Sequence, residues 1–397
     1  MHSYPHLSVL CLILLSLLLK ACVNPQGEGR TLYVQLQMPE ELQQFIPEGT
    51  EVKLINTNNG TTYKTLANTS GMAVFNVEYG IYRLSAQLTY QENMLRNHLL
   101  NGGVENILLT PSKGLEKDTI SVILIDSPFS SVIINEIYYS GCYDENGKSY
   151  SRDGYITLYN NSNQTIWLDS LCIGTVAPAA ASKVSPWLTY CPDTIPISFF
   201  GWQFPGTGRE HPLPAGKEIV IAVNAVNHKG SEYNHINSVD LSKAEWAFYN
   251  NKLTGSDITT GVTPLDMFLR IGSSNTFPLS ISGPGVIIYR IQGISAGEYA
   301  SNPAHLLSDP PQYTGLKNLI IPAKWILDCV DCVENATKQG FKRVPSFLDA
   351  ESIFLPSGKY SGKALRRKNA GNKNGYITYQ DTNNSANDFE ECTPTQK

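Results

Sequence analysis

Residues 132–174 constrain the fold of this chain most strongly. Two strand-like runs can be divided into alternate positions: Val132, Ile134, Glu136 and Tyr138 alternate with Ile133, Asn135, Ile137 and Tyr139, and Tyr155, Thr157 and Tyr159 alternate with Ile156 and Leu158. A period of two predicts strands with one buried face. The turn formed by residues 160–163 separates the second strand from a further apolar run that ends at Ile173. This stretch therefore predicts a β-structure at the centre of the chain.

Several motifs here resemble a lamin-tail domain, which is an immunoglobulin-like β-sandwich. Those at its start are Ile134-Asn135-Glu136-Ile137, residues 155–160 and Leu168-Asp169-Ser170-Leu171. Thr157 and Ser170 depart from the Glu and Gly that family members usually carry. Residues 366–368 and 379–389 resemble the end of bacterial lamin-tail-like lipoproteins of uncharacterised function. The resemblance implies a domain at residues 128–397 with a long loop insertion at residues 175–350.

Residues 31–127 carry a second resemblance. Short strand-like segments at residues 49–54, 70–75 and 80–84 are separated by glycine-containing turns. They resemble the transthyretin-like carboxypeptidase regulatory domains that are common in Gram-negative surface proteins. The resemblance implies a spacer or docking module. We therefore expect an all-β protein with two immunoglobulin-like β-sandwich domains, the second of them lamin-tail-like.

The N-terminus predicts export. The apolar run at residues 7–19 is too short to span a bilayer and is typical of a signal-peptide core. Leu19-Lys20-Ala21-Cys22 resembles a bacterial lipobox, which implies a signal peptide at residues 1–21, lipidation of Cys22 and a tether at residues 22–30. Lys20 departs from that pattern. An ordinary cleaved signal is the alternative, but Leu19 fits its small-residue cleavage site poorly.

The implied location is the outer membrane, reached through the acyl anchor, with the periplasmic and cell-surface faces both left open. Charged residues form 16% of the chain and the formal net charge is −5, which argues against a nucleic-acid partner. Outside the cytoplasm an even number of cysteines predicts up to three disulfides, with the pairing left open. The candidate cysteines are Cys142, Cys172, Cys191, Cys329, Cys332 and Cys392.

Aromatic residues are frequent in residues 175–217. Trp187, Trp202 and Phe204 could stack on sugar faces as a ligand platform. The alternative is that they plug the open end of the sandwich, which we favour because single aromatic residues usually belong to a core.

Metal sites are weakly indicated. His211, His228 and His235 lie near carboxylates, a combination that suits a transition metal, but their spacing matches no metal motif. Asp381 and Asn383 belong to a run of alternating oxygen-bearing side chains of the kind that can bind calcium, although turn hydrogen bonds explain the same residues. We predict neither metal nor other cofactor. The basic cluster at Lys363, Arg366, Arg367, Lys368 and Lys373 could hold an anion, but in an acidic chain it more often pairs with the protein's own carboxylates.

The sequence contains no glycine-rich phosphate loop before a predicted helix, and no Ser-His-Asp grouping can be assembled from its local motifs. We therefore expect a non-catalytic cell-envelope lipoprotein that acts as a binding or assembly module. The expected partner is an outer-membrane transporter or another envelope protein. An extracellular hydrolase of glycans or phosphoesters, dependent on His228 or Asp381, is one alternative. A metal-capture protein is the other.

Overall fold

A computed structural model describes residues 29–93, 96–110, 118–126, 130–373 and 375–397. Strands dominate and the helices are few and short, so the expectation of an all-β protein is confirmed. The predicted signal peptide, Cys22 and nearly all of the tether lie outside the described residues. Within the described ranges, no helix has the length and apolar character needed to cross a membrane.

The described residues from 29 to 126 form what we call the first unit. Its strands are β1 (Gly29–Gln37), β2 (Glu51–Asn56), β3 (Thr62–Leu66), β4 (Met72–Glu78), β5 (Gly80–Asn93), β6 (Arg96–Leu109), β7 (Asp118–Ile123) and β8 (Ile125–Asp126), with a 3₁₀ turn at Glu40–Leu42. One sheet has the order β4–β1–β7, in which β7 runs parallel to β1. The other has the order β3–β2–β5–β6–β8. Alternate residues of both sheets, such as Val34 and Leu84, form one core.

The described residues from 130 onward form the second unit. Its first strands are β9 (Val132–Tyr138), β10 (Cys142–Tyr143), β11 (Ser149–Tyr150), β12 (Tyr155–Asn160), β13 (Ile166–Trp167), β14 (Cys172–Val176), β15 (Thr194–Gln203), β16 (Pro212–Leu213), β17 (Glu218–Ala222), β18 (Trp246–Ala247), β19 (Thr263–Pro264) and β20 (Asp266–Arg270). They continue with β21 (Gly285–Tyr289), β22 (Leu306–Asp309), β23 (Thr314–Pro322), β24 (Ile326–Val333), β25 (Ile353–Phe354), β26 (Ala364–Arg367), β27 (Asn369–Lys373), β28 (Tyr376–Tyr379) and β29 (Phe389–Cys392). The helices are α1 (Pro186–Tyr190), α2 (Ala296–Ser301) and α3 (Ser385–Asp388), with 3₁₀ turns at Pro303–His305, Ala323–Trp325 and Ala336–Phe341.

Two large sheets face each other in the second unit. The order β19–β18–β17–β12–β9–β26–β29 defines sheet A, and the order β22–β23–β15–β14–β21–β24–β25 defines sheet B, with β20 also paired to β15. Apolar side chains from both sheets, including Ile156, Ile288 and Leu365, form the core between them. The early strands β9 and β12 thus share sheet A with the late strands β26 and β29.

The structure corrects two expectations about the second unit. First, β9 and β12 are buried at every residue, not on one face. Their outer face carries Tyr138 and Tyr155, which pack against residues that follow β17, such as Val239 and Leu241. Second, residues 175–350 are not a loop insertion, because they supply strands such as β15, β17, β21 and β24 to both sheets.

The two units are packed closely against each other. The outer face of the sheet that contains β5 and β6 meets residues 336–351 of the second unit. A Cβ atom on Gly103 would lie 2.3 Å from the Cβ of Ser346, and one on Gly340 would lie 2.6 Å from the Cα of Thr57. Only a residue without a side chain permits such an approach.

Polar contacts also cross this seam. Lys53 of β2 forms an ion pair with Glu351, and the Ser346 hydroxyl donates a hydrogen bond of 3.1 Å to Glu105. Burial raises the pKa of Glu105. Close packing and ionic contacts together mean that the units meet through side chains as well as through the linking segment.

Candidate functional site

His228 belongs to a buried polar cluster at the edge of sheet A. Its side chain is fully buried. Nε2 lies 3.1 Å from the carbonyl oxygen of Asn224, and Nδ1 lies 2.7 Å from the hydroxyl of Tyr150. Because a carbonyl can only accept, Nε2 carries the proton and Nδ1 accepts from Tyr150. Burial lowers the pKa of His228 to about 4. The ring is therefore neutral, and both of its nitrogens are used within the protein.

The three candidate histidines do not converge. His235 stacks on Tyr150 with 3.6 Å between ring centroids, whereas His211 lies edge-on to Trp246 at 5.0 Å. His228 has no free nitrogen to offer a metal. Across the residues with described structure, no group of three or more His, Cys, Asp or Glu side chains could hold a metal ion. The histidines thus lie near one another in sequence without forming a set of ligands.

Asp153 lies near His228 and is the most buried carboxylate of this cluster. It accepts hydrogen bonds from the hydroxyls of Ser238, at 2.5 Å, and Tyr138, at 3.0 Å. Burial raises its pKa. Because Ser238 donates to a carboxylate while His228 is bonded to Tyr150, the cluster does not have the serine–histidine bond of a hydrolase. The sequence analysis missed the bond between Asp153 and Ser238 because no local motif joins positions so far apart.

Asp381 belongs to an ion-pair cluster around the buried Arg367. The Arg367 guanidinium lies 2.8 Å from Asp328, 3.2 Å from Asp381 and 3.3 Å from Asp388. Arg366 and Arg367 therefore pair with the protein's own carboxylates, whereas Lys363 donates to the Thr393 hydroxyl and Lys368 to the Asn387 carbonyl. Asn383 has a φ of +49°, in the left-handed region, and its carbonyl accepts a backbone hydrogen bond of 2.7 Å. Asp381 thus serves a salt bridge and Asn383 a turn.

The predicted aromatic ligand platform is wrong. Trp187 is 1% exposed, and Trp202 and Phe204 are 0% exposed. The Trp202 ring lies 5.8 Å from that of Phe248 in the core between the sheets. A buried ring has no face to present to a sugar. Trp202 and Phe204 thus belong to the core between the sheets, whereas Trp187 is buried in α1, where its indole N–H donates a hydrogen bond of 3.0 Å to Asp309.

The predicted disulfides are also corrected, because all six candidate cysteines are free in the structure: Cys142, Cys172, Cys191, Cys329, Cys332 and Cys392. Cys329 and Cys332 lie three positions apart on β24 and therefore point to opposite faces of sheet B. Cys332 faces the core between the sheets, and Cys329 joins the cluster on the other face. Burial raises the pKa of Cys172 to about 12, so its thiol is protonated.

A large concave surface lies on the first unit, at the end where β1 and β7 finish. We call it the groove. Its volume is about 1060 Å³, and its floor includes the buried Leu36 and Met38. Around it Ile46 is 61% exposed, Ile123 is 59% exposed and Ile125 is 44% exposed. A cluster of exposed branched apolar side chains beside a concave surface is typical of a binding site.

The charges around the groove are acidic. Glu40 and Asp126 line it, and its lining includes neither Lys nor Arg among the residues whose structure is described. The surface is thus apolar with a negative edge. The sequence analysis missed the groove because its lining comes from positions as distant as 36 and 126, which only the fold brings together.

The architecture defines an all-β protein in which a smaller sandwich-like unit packs against a larger two-sheet unit. Residues 214–396 match a family model described as protein of unknown function (DUF4876). The chain is also similar to the crystal structure of a DUF4876 family protein from Bacteroides thetaiotaomicron VPI-5482. The two are 26% identical, with a TM-score of 0.60, and the match covers 91% of this chain and 94% of that one. No curated protein matches the chain.

A DUF4876 family domain therefore occupies residues 214–396, starting just before β17. The structural similarity extends further, because 91% of the chain includes strands of both units. These comparisons identify a shared architecture and assign no activity.

Proposed function

We propose that this chain is a non-catalytic cell-envelope lipoprotein that acts as a binding or assembly module. In this proposal acylated Cys22 anchors it in the outer membrane, and the groove holds a segment of an envelope protein, for example part of an outer-membrane transporter. The observation that carries the proposal is the groove, with Ile46, Ile123 and Ile125 exposed around it. Exposed apolar surface of this kind loses contact with water when a partner covers it, which favours association.

We also propose which known domain types the two units resemble. The pairing of β9 with β12 and with β26 joins the early and late motifs of the lamin-tail resemblance in one sheet. This supports a lamin-tail-like, immunoglobulin-like sandwich for the second unit. The two-sheet arrangement of the first unit supports the transthyretin-like resemblance.

The experiment compares membrane complexes of two charge variants. Ile123→Lys places a cation in the groove, whereas Leu108→Lys places one at a position of similar exposure, 64%, outside its lining. Both side chains are exposed, so both variants should keep the wild-type melting temperature. After mild detergent extraction from the native host, we expect wild type and Leu108→Lys in a complex with a second protein, and Ile123→Lys alone.

The outcomes separate the parts of the proposal. Loss of the complex in both variants, or in neither, would contradict a role for the groove. A complex made only of copies of this chain would contradict a distinct envelope partner. Separately, Cys22→Ser should move the chain from the membrane to the soluble fraction, and mass spectrometry of the wild-type N-terminal peptide should show acylation.

A further inference from the structure

A second concave surface, which we call the cleft, lies between the two units. Its volume is about 610 Å³. The first unit contributes Ile125, and the second contributes Ala323, Ile326 and Leu348. Ala323 and Ile326 are almost fully buried, so they form an apolar floor. Residues of both units therefore line this surface.

The cleft and the groove are neighbours. Ile125 and Asp126 line both of them. These two residues make up β8, which pairs with β6 at the edge of its sheet. An occupant that extends from the groove across β8 therefore enters the cleft directly.

The size of the combined surface favours an extended occupant. Small-molecule sites usually measure about 300–1000 Å³. The groove alone has about 1060 Å³, and the cleft adds to it. In addition, β7 is the edge strand of the sheet β4–β1–β7 among the described strands. Sheet edges commonly receive an extended peptide as an added strand.

The charges favour a basic occupant. Glu40 and Asp193 line the two surfaces, and Lys324 is the one basic residue among their described lining positions. This excess of carboxylates attracts positive charge and disfavours an acidic partner.

We propose that the groove and the cleft together bind an extended peptide segment of a partner protein that carries apolar side chains and Lys or Arg residues. The segment passes over Ile125, places apolar side chains in both concave surfaces and brings its cations to the carboxylates around them. This inference rests on the proposed docking role of the groove and adds the chemistry of the occupant and the part played by the cleft.

The test measures binding of labelled peptides to the full chain by fluorescence anisotropy. The probe is a fluorescein-labelled heptapeptide in which leucine and lysine alternate, and the two controls replace either the lysines by glutamate or the leucines by serine. We expect the leucine–lysine peptide to bind at least about tenfold more tightly than either control.

Variants then locate the bound peptide. Asp193→Lys in the cleft should weaken binding about fivefold, and Lys324→Glu should strengthen it by a similar factor, because both positions are exposed at its edge. Ile46→Lys in the groove should also weaken binding. Glu145→Lys, an exposed charge reversal in the turn between β10 and β11, is the matched control and should leave binding unchanged.

Each contrary result overturns a defined part of the inference. If Ile46→Lys weakens binding while both cleft variants bind like wild type, the groove alone is the site and the cleft has no role. Equal binding of the serine–lysine peptide would mean that charge alone drives association. If no peptide binds, this inference fails, while the membrane-complex experiment still decides the proposed function independently.

Discussion

The buried His228 gives a stability prediction with a defined sign. In an unfolded chain its pKa is the ordinary 6.5, whereas burial lowers it to about 4 in the folded protein. The unfolded state therefore binds more protons between these values. It follows that the contribution of His228 to stability is fully present above pH 6.5 and is lost as the pH falls through 4.

The magnitude follows from the shift. A difference of about 2.5 pKa units corresponds to about 3 kcal/mol of unfolding free energy at pH 4. His228→Gln removes the titration, while its amide can still donate to Asn224 and accept from Tyr150. The variant should be less stable than wild type at pH 7.5. Between pH 7.5 and pH 4, however, its unfolding free energy should fall by about 3 kcal/mol less than that of wild type.

Urea unfolding followed by tryptophan fluorescence measures this difference. All five tryptophans lie in the second unit, so the signal reports the unit that contains His228. Burial also raises the pKa of groups such as Asp153. These groups are present in both wild type and variant, so their contributions to the pH dependence of the unfolding free energy cancel in the comparison. An identical pH dependence of wild type and variant would refute the neutral, doubly hydrogen-bonded histidine.

Further predictions address the buried charges, the core and the thiols. Asp331→Asn leaves the fully buried Arg343 without its ion-pair partner and should cost about 3–5 kcal/mol of unfolding free energy. Asp257→Asn breaks an exposed pair with Arg152 and should cost under about 1 kcal/mol. Similar losses in urea unfolding would contradict this distinction. Trp202→Ala should cost about 3–5 kcal/mol in the same assay, and a stability near wild type would show that this ring is not core. When the protein is unfolded without reductant, iodoacetamide should alkylate all six candidate cysteines, and mass spectrometry should detect all six adducts. A disulfide between any two of them would leave those cysteines unmodified.

Much of the strand content follows from local pattern. The alternation in residues 132–139 and 155–159 predicted β9 and β12, because a period of two is a property of neighbouring residues. The burial of their outer faces was not predictable in this way. It depends on contacts with residues such as Val239 and Leu241, which lie about a hundred positions away along the chain.

The candidate sites show the same limit. The even number of cysteines predicted disulfides, but only the position of Cys329 and Cys332 on β24 shows that these two point to opposite faces. Trp202 was correctly favoured as core, because large aromatic residues usually bury their area. The groove was not predictable from the sequence, because nothing in the local pattern indicates that Leu36 and Ile125 lie close together. The cleft was not predictable either, because it lies at the seam between the two units.

Site-specific photo-crosslinking from Ile123 tests the central claim most directly. A benzoylphenylalanine at position 123 would lie in the groove, and one at Leu108 provides the matched exposed control. In membranes of the native host, we predict a discrete crosslink to one envelope protein from position 123, which disappears when Ile46→Lys is added, and none from position 108. Equal crosslinking from both positions, or a crosslink that persists with Ile46→Lys, would contradict the groove as the binding site.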